Sequence, residues 1–106
     1  MSIVKQFSKT KKVCKATFSL PKESVVAVKA KEVVLVGDFN SWNMQAPIAM
    51  KKQKDGSFKA TVELENGKEF QFRYVVNKET WMNDTAADKY VSTPFGVENS
   101  VVVTLN

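Results

Sequence analysis

A chain of 106 residues, 43% apolar and 25% charged, can bury one hydrophobic core but not two. No run approaches the ~18 apolar residues that cross a bilayer, and no apolar segment follows the basic N-terminus, so neither membrane insertion nor a secretory leader is expected. The net charge of +5 raises nucleic acid as a partner. The lysines, however, are scattered over Lys5 to Lys15, Lys22 to Lys31 and Lys51 to Lys54 with acids among them, the pattern of a solvated surface.

Residues 1–12 are polar and lysine-rich and read as a flexible basic arm ahead of one domain, 13–106. Cys14, Ala16, Phe18 and Leu20 alternate with Lys15, Thr17 and Ser19, the period of a half-buried strand. That register turns Cys14 inward, as a small core residue rather than a reactive thiol. A lone cysteine also excludes an internal disulfide and suits a reducing compartment. With the opening methionine, this leads us to expect a cytoplasmic protein. Pro21 ends the strand, and 21–32 is a connection with room for a short helical turn.

Val33 to Val36 is a second strand, buried by its composition. It runs into Gly37-Asp38-Phe39-Asn40-Ser41-Trp42-Asn43, where a tryptophan stands in a polar loop. Lys54-Asp55-Gly56-Ser57 is a turn. Phe58, Ala60, Val62 and Leu64 then alternate with polar residues, Asn66-Gly67 supplies a strong hairpin signal, and Phe70, Phe72, Tyr74 and Val76 resume the alternation. Residues 58–76 therefore read as a β-hairpin. Thr80-Trp81-Met82 is a further short strand, 84–93 a loop or single helical turn, and Ser100 to Leu105 the last strand. These periods place Phe18, Leu35, Val62, Phe70, Phe72 and Tyr74 in the core, with Gln71 and Arg73 on the opposite face. Short antiparallel strands separated by turns predict an all-β sandwich or small barrel, without the Cys…Trp…Cys spacing of true immunoglobulin domains.

The chain has no histidine, which removes the commonest general base and metal ligand together. Cys14 has no histidine to activate it, no ligand cluster has metal-site spacing, and no Gly-rich phosphate loop appears. Asp38 and Asp84 are the nearest approach to the carboxylate pair a glycosidase needs, but both sit where turns favour aspartate. Asn83-Asp84-Thr85 matches the glycosylation triplet, which carries little weight without secretion. We expect no catalytic residue, no metal and no cofactor: a binder rather than a catalyst.

Trp42 and Trp81 both follow a strand and a polar turn. Tryptophan usually covers a core, but two in loops at one edge could form an aromatic platform. Arg73 would stand beside Trp81, unless it is an ordinary solvated arginine. Asn99, before the last strand, could be a turn residue only.

At these residues the chain resembles the glycogen-binding modules of the isoamylase N-terminal, or early-set, type, found in glycogen branching and debranching enzymes and in the β subunit of AMP-activated protein kinase. The matching pieces are Val33-Val34-Leu35-Val36-Gly37-Asp38-Phe39-Asn40-Ser41-Trp42, Asp55-Gly56-Ser57-Phe58 and Phe70-Gln71-Phe72-Arg73-Tyr74. Trp81-Met82-Asn83-Asp84 and Phe95-Gly96-Val97-Glu98-Asn99-Ser100 follow in the family's order. The resemblance implies an immunoglobulin-like antiparallel β-sandwich. It also implies that Trp42 and Trp81 stack on glucose rings, that Arg73 and Asn99 bond to hydroxyls, and that Phe95 packs on the sugar chain. The chain departs from the family in Arg73, where lysine is common. The turn Asn77-Lys78-Glu79-Thr80 lacks the usual Asp-Gly and is one residue longer, and Thr85 stands where proline commonly follows the aspartate.

The expected function is non-catalytic recognition of α-1,4-linked glucan, such as glycogen, starch or a maltooligosaccharide. One rival is a scaffold docking on a glycogen-metabolising enzyme, a branching or debranching enzyme, with sugar binding weak or lost. The other is single-stranded nucleic-acid binding by the same aromatics, the less favoured, and one that would weaken steeply with salt.

Overall fold

Branched and aromatic residues alternating with polar ones build a strand-rich chain. The computed structural model describes residues 3–8, 12–26, 29–84, 87–94 and 96–104. Among them, in order, are β1 (Ile3–Phe7), β2 (Val13–Leu20), α1 (Lys22–Val26), β3 (Val33–Gly37), β4 (Ile48–Ala49), β5 (Lys51–Lys52) and β6 (Phe58–Glu65). β7 (Glu69–Val76), β8 (Thr80–Met82), β9 (Lys89–Ser92) and β10 (Glu98–Val103) complete the series. One sheet has the order β1-β2-β6-β5. The other has the order β4-β3-β7-β10-β9, with β8 also paired to β7. The two antiparallel sheets pack as an immunoglobulin-like sandwich, as expected.

The core lies between them. Phe18 and Leu20 of β2 meet Leu35 of β3, Phe72 and Tyr74 of β7, and Val102 of β10. Phe72 sits edge-on to Phe18 at 4.9 Å and to Tyr74 at 5.7 Å between ring centroids, contacts worth ~0.5–1.5 kcal/mol each beyond simple burial. Val62 and Phe70 are only partly buried and pack on the margin of this cluster. Cys14 is buried, and loss of solvent pushes its thiol above the ordinary value, against smaller opposing effects of the Gln6 backbone and Lys5.

Residues 58–76 do not form a hairpin. β6 pairs with β2 and β5, whereas β7 pairs with β3, β8 and β10, so Asn66-Gly67-Lys68 is an arch carrying the chain from one sheet to the other. Alternation and an Asn-Gly turn are common to both geometries. The partners of the turn decide between them. Asn66 N–H donates to Lys12 O (3.0 Å) beside β2, and Gly67 N–H donates to Thr104 O (2.9 Å) just past β10. The buried Thr104 hydroxyl donates to Glu65 O (2.7 Å) and accepts from Lys68 N–H (3.0 Å), fastening both feet of the arch.

The N-terminal expectation is also corrected. Residues 3–7, assigned above to a loose arm, are β1, paired with β2 from Ile3↔Phe18 to Phe7↔Cys14. Lys5 shares the register of the buried Ile3 and so hides the strand period. It is accommodated by an ion pair with Asp88, 2.6 Å away, whose carboxylate also accepts Val103 N–H of the other sheet. Within 84–93, Lys89–Ser92 is an edge strand on β10 rather than loop or helix. The two-residue strands β4 and β5 are too short to carry a period.

Candidate functional site

β7 organises the site. β3 runs along one of its edges, and the other edge is shared: β10 covers it from Glu69 to Phe72, and β8 from Tyr74 to Val76. The two partners part at Arg73, so its side chain meets groups from both. Nε donates to Asn99 Oδ1 at 2.6 Å, and the guanidinium lies 5.9 Å from the centroid of Trp81. Asn99 Nδ2 in turn donates to Gln71 Oε1 at 2.9 Å. A charge-assisted hydrogen bond and a cation–π contact fix the arginine from two sides.

Trp42 arrives by a different route. β3 ends at Gly37, where a Cβ would stand 2.4 Å from the Gln71 carbonyl oxygen and 2.8 Å from Phe72 Cβ; only glycine lets the chain pass so close to β7. A 3₁₀ turn, Asp38–Asn40, follows, and Asn40 Oδ1 accepts Gly37 N–H at 2.9 Å. Ser41 and Trp42 then take φ of 57° and 55°, a left-handed conformation that costs L-residues roughly 1–2 kcal/mol each. Asp38 holds the result in place. Its Oδ1 accepts the Trp42 indole Nε1–H at 2.8 Å, and its Oδ2 accepts Gln71 N–H at 2.8 Å. One carboxylate thus ties the indole to β7, and the strain marks where geometry has been specified.

Trp81 lies on β8, opposite Val75. The turn before it has no glycine, yet Asn77 and Lys78 adopt φ of 53° and 65°, and Glu79 N–H bonds to Val76 O at 3.1 Å. Asn77 makes this possible by bonding the segment before β3. Its N–H donates to Glu32 O (2.9 Å), its Oδ1 accepts Lys31 and Glu32 N–H (2.7 and 3.2 Å), and its Nδ2 donates to Lys29 O (3.3 Å). The altered turn therefore still delivers Trp81 to the face that carries Arg73, with 43% of its surface exposed.

Trp42, Gln71, Arg73, Trp81, Asn99 and the segment Ser92-Thr93-Pro94 line one open depression of about 570 Å³ on the outer face of this sheet. Four of the five residues singled out in the sequence meet there; Phe95 lies outside the described residues. Two details differ from expectation. Trp42 is half-buried rather than fully presented, and Asn99 is 91% buried, its amide engaged by Arg73 and Gln71. Gln71 was missed, although it stands two residues from Arg73 on the same strand face. Ser92, Thr93 and Pro94 gave no signal, because only the return of the chain from β9 to β10 brings them to the site.

The two aspartates weighed as a pair have structural partners. Asp38 braces Trp42. Asp84 is 1% exposed and accepts the Tyr74 hydroxyl at 2.6 Å. Burial, and then the Asp84 charge, push the Tyr74 phenol above its ordinary value, so it remains a donor.

An open aromatic and amide–guanidinium surface on one face of a β-sandwich has the form of a small-ligand binding module. The family model described as the glycogen recognition site of AMP-activated protein kinase matches residues 26–104. The chain belongs to this family of carbohydrate-binding modules. Comparison with curated proteins returns no match.

Proposed function

We propose that the protein binds α-1,4-linked glucan on the outer face of the β7 sheet and performs no chemistry on it. One observation carries this reading: Trp42, Arg73, Trp81 and Asn99, drawn from separate strands and loops, line a single open depression. A glucose ring has a face of C–H groups and a rim of hydroxyls. Indoles cover the first, while guanidinium and amide groups bond the second. Asn99 occupies Nε of Arg73, which leaves the terminal amino groups for hydroxyls. Asn99 itself chiefly holds the arginine.

Among the described residues, no lysine lines the depression, which favours a neutral ligand over the phosphate backbone of a single-stranded nucleic acid. The lack of histidine and the engagement of Asp38 and Asp84 support recognition without hydrolysis. Co-sedimentation with glycogen at low and high salt tests the reading, with reducing sugar measured in the same tubes. Saturable binding that changes little with salt, and no sugar release, is expected. Absence of binding, binding lost steeply with salt, or hydrolysis by the pure protein would overturn it.

A further inference from the structure

The two loops that supply the tryptophans do not end their work at the first depression. The outer face of the same sheet continues past Trp81 to Val75, its partner across the β7–β8 ladder, and then to Val34, the partner of Val75 across the β3–β7 ladder. There it opens into a second trough of about 330 Å³, lined by Val34, Val75, Met44 and Pro47, with Glu32 and Lys78 also lining it. Each loop serves both hollows. The loop after β3 gives Trp42 to one and Met44 to the other; the β7–β8 hairpin gives Trp81 to one and Lys78 to the other.

We propose that this trough is an extension subsite that receives further glucosyl units of the same α-glucan chain, running on from the tryptophans; the proposal rests on the glucan reading above. The chemistry suits the occupant. Val34, Pro47 and the Met44 thioether, over a buried Val75, form an apolar floor that accepts C–H faces, and an ammonium and a carboxylate supply a donor and an acceptor for hydroxyls. Lys78 and Glu32 are 3.9 Å apart and widely exposed, a pairing weak enough to yield to a ligand.

The walls are also fixed in advance. Asn77 bonds the hairpin to residues 29–32. Asn43 and Asn40 order the other loop: Asn43 Oδ1 accepts Gln45 N–H (2.9 Å) and Asn40 Nδ2 donates to Ala46 O (3.3 Å). The turn in which this chain departs from its family is thus the turn that carries Lys78 to the second trough.

The subsite predicts a dependence on chain length that Met44 controls. Maltotriose and maltoheptaose are titrated into the whole protein and into Met44→Ala, Val34→Thr and Trp42→Ala. Met44 is 39% exposed on its loop, and Val34→Thr keeps a branched side chain, so neither depends on repacking the core. The expected result is that Met44→Ala weakens maltoheptaose about 4- to 15-fold, the equivalent of one or two methylene groups no longer covered, while leaving maltotriose unchanged. Val34→Thr should act in the same direction, and Trp42→Ala should weaken both sugars. If Met44→Ala and Val34→Thr leave maltoheptaose unchanged, or weaken both sugars equally, while Trp42→Ala still weakens both, the extension subsite is wrong and the primary site stands. If neither sugar binds the unaltered protein, both fall together.

Discussion

The two tryptophans reach one surface by opposite means. Trp81 lies on a strand, where pairing with Val75 sets the direction of its side chain, because successive residues of a strand face opposite sides. The strain lies in the turn before it, at Asn77 and Lys78, while the ring itself takes ordinary strand geometry and stays 43% exposed. Trp42 lies in a loop, where no ladder sets direction. The chain compensates with a close approach at Gly37, left-handed backbone at Ser41 and Trp42, and a carboxylate that grips both the indole and β7. A binding residue on regular structure can be removed cheaply, whereas one on a shaped loop is tied into stability. Both should matter to the ligand; only one should matter much to the fold.

The strongest challenge to this contrast is Gly37→Ala. Its Cβ would meet the Gln71 carbonyl oxygen at 2.4 Å, a backbone atom that cannot swing aside. We expect a loss of about 3 kcal/mol, the upper end of ordinary overpacking, in urea unfolding; a loss below about 1 kcal/mol would show that the loop tolerates a different approach. Asp38→Ala should come next, at about 1–3 kcal/mol, since two N–H donors lose a charged acceptor. Its glucan affinity should fall although the tryptophan is still present.

The direct comparison is milder. Trp42→Ala should cost about 1–2 kcal/mol for a half-buried ring, and Trp81→Ala about 0.5–1 kcal/mol, the loss of its contact with Arg73. Equal thermal shifts in the two variants would break the contrast. One further change is a gain. Lys78 holds φ of 65°, so Lys78→Gly should stabilise by about 0.5–1 kcal/mol, the left-handed cost less the entropy of glycine.

Alternation in the sequence is enough to assign the faces of β2, β6 and β7, because a period of two directly states which side chains turn inward. It cannot state which sheet a strand joins. Phe58–Glu65 and Glu69–Val76 read as a hairpin for that reason, and the arch is specified by distant partners, Lys12 and Thr104. β1 escapes notice because Lys5 occupies a position in register with Ile3, and the Asp88 that neutralises it lies 83 residues away. At the site, Trp42, Arg73, Trp81 and Asn99 are legible through the motifs that carry the family resemblance, and Gln71 through the period of β7. The role of Asp38 as a brace is not legible. It depends on Trp42 adopting a positive φ that its residue type disfavours.

The chain has two tryptophans, and both line the depression, so their fluorescence reports the central claim directly. Titration of maltoheptaose should give a saturable change in emission, with both Trp42→Ala and Trp81→Ala weakening binding by about 1–3 kcal/mol, the range of central aromatic contacts. The residual signal in each variant should come from the ring that remains. Emission that does not respond to the sugar, or an affinity unchanged by removing either ring, would contradict a shared glucan site on this face.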